Sequence, residues 1–169
     1  MKLFRNLFVA FAFFTAFNTI QAQKVGHIDS EQLLMAMPET KAMETELKRV
    51  QQTYADEYNA QATALQAKLK KYDAEAPTQT DVTNQQRQVE VQTLQQKIQK
   101  YAQTADQEIQ KKRLDLLRPI VEKAQKAVKD VASEKGVQYV FDSSPGKGLI
   151  VFDDGEDLMP AVKTKLGIQ

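Results

Sequence analysis

Apolar residues recur along the middle of the chain with a helical beat. Met43, Leu47, Val50, Tyr54, Tyr58, Ala62, Leu65, Leu69 and Tyr72 span 29 residues in eight steps, a mean of 3.6 that draws one stripe down a helix face. The stripe stops at a polar segment centred on Pro77, where Pro77 disfavours helix at Ala76 and Thr80 or Asp81 is placed to cap a second helix. A second stripe follows through Val91, Leu94, Ile98, Tyr101, Ala105, Ile109, Leu116, Ile120, Ala127 and Val131. Each stripe is too narrow to be buried alone, and a short connection makes antiparallel packing the natural solution. The two arms are unequal, about 38 residues before Pro77 and about 55 after, or roughly 57 and 80 Å at 1.5 Å per residue. Pro119 lies inside the second helix, removes one backbone bond and is expected to act as a hinge.

At both ends of the chain the period changes. Residues 24–29 read as a short strand, Asp29 or Ser30 caps a short helix, and Pro38 opens the first long one. After Gly136, placed as a helix C-cap, residues 137–142 and 149–152 are β-branched and aromatic runs, joined by a Ser-Pro-Gly-rich turn. They predict a β-hairpin, and a final short helix holds Leu158, Ala161, Val162 and Leu166. The long helical hairpin brings its own ends together, so the first strand can join this hairpin in one sheet. The predicted fold is α+β, a small antiparallel β body carrying a long antiparallel coiled-coil hairpin. The body takes residues 23–37 and 136–169, and the arm takes 38–135 with its tip near 74–83.

Composition agrees. All six glycines lie at 26, 136, 146, 148, 155 and 167, which leaves residues 27–135 without one, as long helix requires. Lys2 and Arg5 precede an apolar run over residues 7–17, with a more polar tail ending at Ala22: the layout of a secretory signal peptide cut after residue 22. Eleven helical residues reach about 16 Å, too short for the roughly 30 Å hydrocarbon core. Beyond residue 22, Leu, Ile, Val and Phe make up only 32 of 147 residues, which argues against a large core. The same segment carries 21 Lys and Arg against 22 Asp and Glu, a balance that disfavours nucleic-acid binding.

A sheet of about 15 strand residues is marginal alone. Its strands read as apolar on both faces, so Val25, Ile28, Val137, Tyr139, Val140, Phe141, Leu149, Ile150, Val151 and Phe152 are the candidate oligomerisation residues. The subunit number stays open on these residues alone. Candidate chemistry is sparse. There is no Cys, so no disulfide framework, thiolate zinc site or catalytic cysteine. His27 is the one histidine and has no partner at metal spacing. The acidic run at 153–157 lacks the alternating spacing of a calcium loop and suits helix capping. No nucleophile–base pair is legible, and neither enzyme activity nor a metal or cofactor is expected. Tyr54, Tyr58, Tyr72 and Tyr101 suit the seam or client contact, while Lys68, Lys70 and Lys71 form a solvated face or a steering patch.

The leader, the Lys24-Val25-Gly26-His27-Ile28-Asp29 strand with the helix after it, the Leu65-Gln66-Ala67-Lys68-Leu69-Lys70-Lys71 arm, the Leu117-Arg118-Pro119-Ile120 bend and residues 137–142 resemble, in that order, the Skp/OmpH family of periplasmic chaperones. The resemblance implies a homotrimer with a β-rich body and three helical tentacles around an open cavity. It implies an ATP-independent holdase of the Gram-negative periplasm that keeps unfolded outer-membrane proteins from aggregating until the membrane assembly machinery takes them. Tyr54, Tyr58, Lys68, Lys70, Lys71, Tyr72 and Arg87 become candidate client contacts. The family's basic tips are only partly matched, because Asp73, Glu75, Asp81 and Glu90 offset Lys68, Lys70, Lys71 and Arg87. No lipopolysaccharide site is carried over, and peripheral membrane contact stays open. The other reading of the same rods is a coiled-coil spacer or adaptor of the bacterial envelope.

Overall fold

The structure, a computed structural model, describes residues 23–147 and 154–168. In chain order it contains β1 (Val25–Ile28), α1 (Ser30–Ala36), α2 (Pro38–Glu75), a 3-10 turn (Ala76–Thr78), α3 (Asp81–Glu134), β2 (Tyr139–Asp142), β3 (Glu156–Asp157) and α4 (Met159–Leu166). The expected leader, residues 1–22, and the expected strand of Leu149, Ile150, Val151 and Phe152 lie outside the described residues.

The helix ends follow their local chemistry. The Asp29 carboxylate accepts from the Gln32 amide at 2.8 Å and opens α1. Pro38 begins α2, where a missing N–H costs nothing. Thr80 accepts from the Thr83 amide and opens α3. At the far end of α3, Gly136 turns the chain at φ +67°. There the Val137 amide bonds the Ala132 carbonyl at 2.9 Å and the Gly136 amide bonds that of Ser133 at 3.2 Å, the paired closure of a glycine-capped helix. α3 stays helical through Pro119, although the proline leaves the Asp115 carbonyl without its intrahelical donor.

α2 and α3 are antiparallel. As α2 is read from tip to base, Tyr72 meets Glu90, Tyr54 meets Tyr101 and Glu39 meets Lys123, so partner numbers rise as their own fall. α3 exceeds α2 by 16 residues, 54 against 38. That surplus, about 24 Å of helix, runs past the body and decides the sheet.

The sheet corrects the sequence-based expectation. It has order β2-β1-β3, and both β2 and β3 pair with β1 in parallel, not antiparallel. A helical hairpin with equal legs would return the chain beside the C-terminal end of β1. The longer α3 instead delivers it to the start of that strand, where the Gln138 amide bonds the Lys24 carbonyl at 2.9 Å. From there β2 can only run alongside β1, with Val25 opposite Tyr139 and Ile28 opposite Asp142. Parallel neighbours need a helical crossover, and here the entire arm is the crossover. Glu156 and Asp157, expected to cap the last helix, form β3 instead, while the Asp157 carboxylate still accepts from the Met159 amide at 2.8 Å.

The core sits where this sheet meets the base of the arm. Ile28, Leu33, Met37, Ile120, Ala124, Ala127, Val131, Ala132, Val137, Leu158, Met159 and Val162 form it. Gly26, on the central strand, is squeezed from both sides. A Cβ there would lie 3.0 Å from the Glu156 carbonyl oxygen, 3.2 Å from Val137 and 3.3 Å from Leu158. Relief would require β3 backbone to move. Gly26→Ala is therefore expected to lower stability by about 1–3 kcal/mol, read as a fall in urea midpoint. An unchanged midpoint would mean the sheet is looser than described.

Candidate functional site

Among the described residues two surfaces are left uncovered, the arm and one face of the body. The arm buries very little: between Lys48 and Thr104 no residue is buried, and only Leu47 and Ala105 close the seam below. Lone paired helices expose most of their surface, so the seam is held by polar layers as well as apolar ones.

Midway along the arm, the Tyr54 and Tyr101 rings meet at 6.0 Å, tilted by 55°. The Tyr101 hydroxyl donates to Glu57 at 2.9 Å. Desolvation in the seam, reinforced by the Glu57 carboxylate, pushes the Tyr101 phenol up to about 12. Tyr58 lies one turn on and is exposed.

The tip holds a charged cluster that the sequence placed on separate helices. Lys68 pairs with Glu90, and the Tyr72 hydroxyl donates to the other Glu90 oxygen at 2.6 Å. The Arg87 guanidinium lies 4.4 Å from the centre of the Tyr72 ring and donates to Glu75 at 2.6 Å. Asn84 bonds the Ala76 carbonyl at 3.1 Å and ties α3 to the turn. Hydrogen bonds from Lys68 and then Tyr72 hold the Glu90 carboxyl below its usual range. Lys68, Tyr72 and Arg87, expected as client contacts, are thus gathered, and their charges are largely engaged with each other. Lys71 lies 4.0 Å from Glu75, and Lys70 points to solvent. The exposed Lys68–Glu90 and Lys71–Glu75 pairs add little stability, while the more enclosed Arg87–Glu75 pair, its Arg87 side chain 18% exposed, fixes the tip's shape.

On the body, the expected oligomerisation residues divide. Ile28 and Val137 are buried, Val140 is half-buried, and Val25, Tyr139 and Phe141 stay exposed. Phe141 shares a groove with part of a stripe that sequence reading passed over. Leu114, Leu117, Val121 and Val128 recur on α3 at helical spacing, about a quarter turn from the seam. The signal was present, but the seam positions alone satisfied the search for one apolar face. Val121, Ala124 and Val128 line a groove of about 860 Å³ with Leu33, Leu34 and Phe141. Nothing in the described residues covers it.

One end of that groove is a polar knot. The Asp142 carboxylate accepts from the Ser30 hydroxyl at 2.6 Å, the Ser30 amide at 3.2 Å, the Ser144 hydroxyl at 2.6 Å, the Ser144 amide at 3.0 Å and Lys147 at 2.8 Å. Burial alone would raise this carboxyl. The donors from Lys147, Ser144 and Ser30 outweigh burial and hold it far below the usual carboxylate range. The knot ties the end of β2 to the start of α1. Sequence reading missed it because its members are more than 100 residues apart.

A small parallel sheet fused to a long, barely buried helical hairpin defines a tentacled α+β class in which the extended element, not a pocket, is the distinctive part. The family model described as outer membrane protein (OmpH-like) matches residues 24–166, and the chain belongs to that family. A crystal structure from Caulobacter crescentus, described as that of a candidate outer membrane chaperone (OmpH-like), has the same fold, with a TM-score of 0.75 at 19% identity, covering 86% of this chain and 84% of that one. No curated protein matches the chain.

The knot makes a pH prediction. The folded-state carboxyl of Asp142 is depressed, so its contribution is present above the unfolded value near 3.9 and fades as pH falls below it. Asp142→Asn is expected to cost about 2 kcal/mol at pH 7 by stranding Lys147 and the serine donors. Chemical denaturation at several pH values should show that gap narrowing below about pH 4. A gap constant from pH 7 to pH 2 would contradict the assignment.

Proposed function

We propose that the protein is an ATP-independent holdase of the periplasm, exported with a cleaved leader, that binds unfolded outer-membrane β-barrel proteins and prevents their aggregation. The observation that carries this reading is the arm: two helices of 38 and 54 residues in which only Leu47 and Ala105 are buried in the stretch beyond the core. So much ordered surface without a partner in the chain is suited to a partner that arrives and leaves. An unfolded β-barrel protein presents unpaired strand edges and exposed apolar side chains, both aggregation hazards. Tyr54, Tyr58, Tyr72, the surrounding Gln and Ala residues and the scattered charges offer it many weak contacts and no deep pocket that would freeze it. Neither catalysis nor a cofactor enters this account, and the client's folding into the membrane drives release.

The working form is a homotrimer joined at the bodies. Support comes from the open groove with Phe141 in its lining, and from the exposed Tyr139 and Val25 of the same sheet, apolar surface a second and third copy would cover. Arms rising from a shared hub then enclose a cavity, and the membrane assembly machinery receives the client from it.

Diluting a urea-unfolded outer-membrane protein into buffer with the exported chain should abolish most of the light scattering at a few-fold trimer excess. Undiminished scattering would remove the holdase reading, and a stoichiometric folded partner with unfolded clients ignored would favour the spacer instead. Sedimentation should give an elongated trimer, and Phe141→Asp should convert it to monomer. A wild-type monomer would end the trimer proposal.

A further inference from the structure

The mid-arm tyrosines sit beside carboxylates with few cations near them. Between Val50 and Ala67 on α2 the only charged residues are Asp56 and Glu57, and between Tyr101 and Gln110 on α3 they are Asp106 and Glu108. Antiparallel pairing brings residues 50–57 level with 101–108, so a short band with four carboxylates and no cation crosses the arm, bounded on the tip side by Lys100 and Lys97. Basic residues resume only at Arg49, Lys68, Lys100 and Lys111, and Arg49 is already clasped by Glu46.

Within this band the helices part to leave a cleft of about 240 Å³, lined by Tyr54, Tyr58, Tyr101, Asn59 and Asp106 among others. Three tyrosines stand in its lining among small and apolar residues such as Ala55, Ala102 and Ile109. Tyr101 is half-buried, with its hydroxyl committed to Glu57 and its ring in the cleft lining, and Tyr58 is 41% exposed. Asp106 makes no hydrogen bond or ion pair among the described residues. Tyrosine faces attract cations through their quadrupole, and an unpaired carboxylate at the rim adds a charge-assisted acceptor. A neutral or acidic side chain would gain neither.

We infer that this cleft is a subsite for a cationic side chain, arginine or lysine, of the bound unfolded polypeptide. The inference deepens the holdase reading and rests on it for its biological occupant. Each arm of the cavity then offers one electronegative aromatic station between two basic stretches, so the client is read by the spacing of its basic side chains as well as by its apolar ones. Single stations of this kind are weak, which suits a chaperone that must release.

The test has a part that needs no client. In the exported protein, N-acetyl-arginine methylamide should shift the NMR signals of Tyr58, Tyr101 and Asp106 in a saturable way, while the neutral citrulline analogue should not. Asp106→Asn and Tyr58→Ala should each weaken the arginine response about threefold to tenfold. Equal responses to arginine and citrulline, or no saturable shift in this cleft, overturn the inference even if aggregation is still suppressed. The second part uses a fluorescent unfolded outer-membrane protein and a version with its Lys and Arg replaced by Gln. Both variants should lose affinity for the first client and not for the second. Equal losses for both clients overturn the inference while leaving the holdase reading intact. Absence of any client binding would instead remove the holdase reading, with the arginine titration still deciding the cleft.

Discussion

Everything in this fold depends on β1 finding its two neighbours. The strand is four residues long, and both partners lie more than 100 residues away in sequence. A flexible loop of that length would have to be closed against its entropy, and four-residue strands return too few bonds to do so comfortably. The helical hairpin removes most of the difficulty. Once α2 and α3 pair, the chain between β1 and β2 is a rod with fixed ends, and the search shrinks to docking a base. Gly26 shows how tightly the docked state is specified, since there is no room for a single extra methyl group between β3 and the core.

Much of this was legible in the sequence, and the parts that were not share a cause. Helix existence, extent and caps followed from local signals: Asp29, Pro38, Thr80 and Gly136 each act where their side chain or backbone chemistry places them. Strand direction did not follow, because an apolar run such as Tyr139 to Asp142 reads the same whichever way it lies. Yet the unequal arm lengths already contained the answer. A surplus of 16 residues on the returning helix must carry the chain beyond the strand before it turns. Direction was a matter of length, not of pattern. The Asp142 knot and the groove wall of Val121 and Val128 escaped for the complementary reason, being tertiary assemblies whose members each look ordinary in their own window.

The candidate client residues illustrate the same limit. In sequence Lys68 and Arg87 are candidate contacts offset by acidic residues nearby, and in the fold they are held specifically by Glu90 and Glu75 around Tyr72. A tip neutralised by its own hydrogen bonds is a poor long-range attractor. Its service is mechanical: it staples two helices where the chain must reverse. What remains available for contact on the arm is therefore not the obvious basic cluster but the surface that the seam leaves half-satisfied.

That division follows from how little an arm of two helices can bury. A third helix would have covered the second face of each stripe and made a stable, closed bundle. With only two, every aromatic residue in the seam has one side packed and one side open, as Tyr54, Tyr58 and Tyr101 do. Packing on one side holds the ring in place, and exposure on the other offers it to whatever comes near. A closed bundle would be more stable and would have no surface to lend. The stability such a chain needs has to come from elsewhere, and it is concentrated at the base, in a core where Leu33, Leu158 and Val162 are almost wholly buried. The small sheet and the long bare rods are one design under one constraint: the part that grips must stay unsatisfied, so the part that folds must be complete.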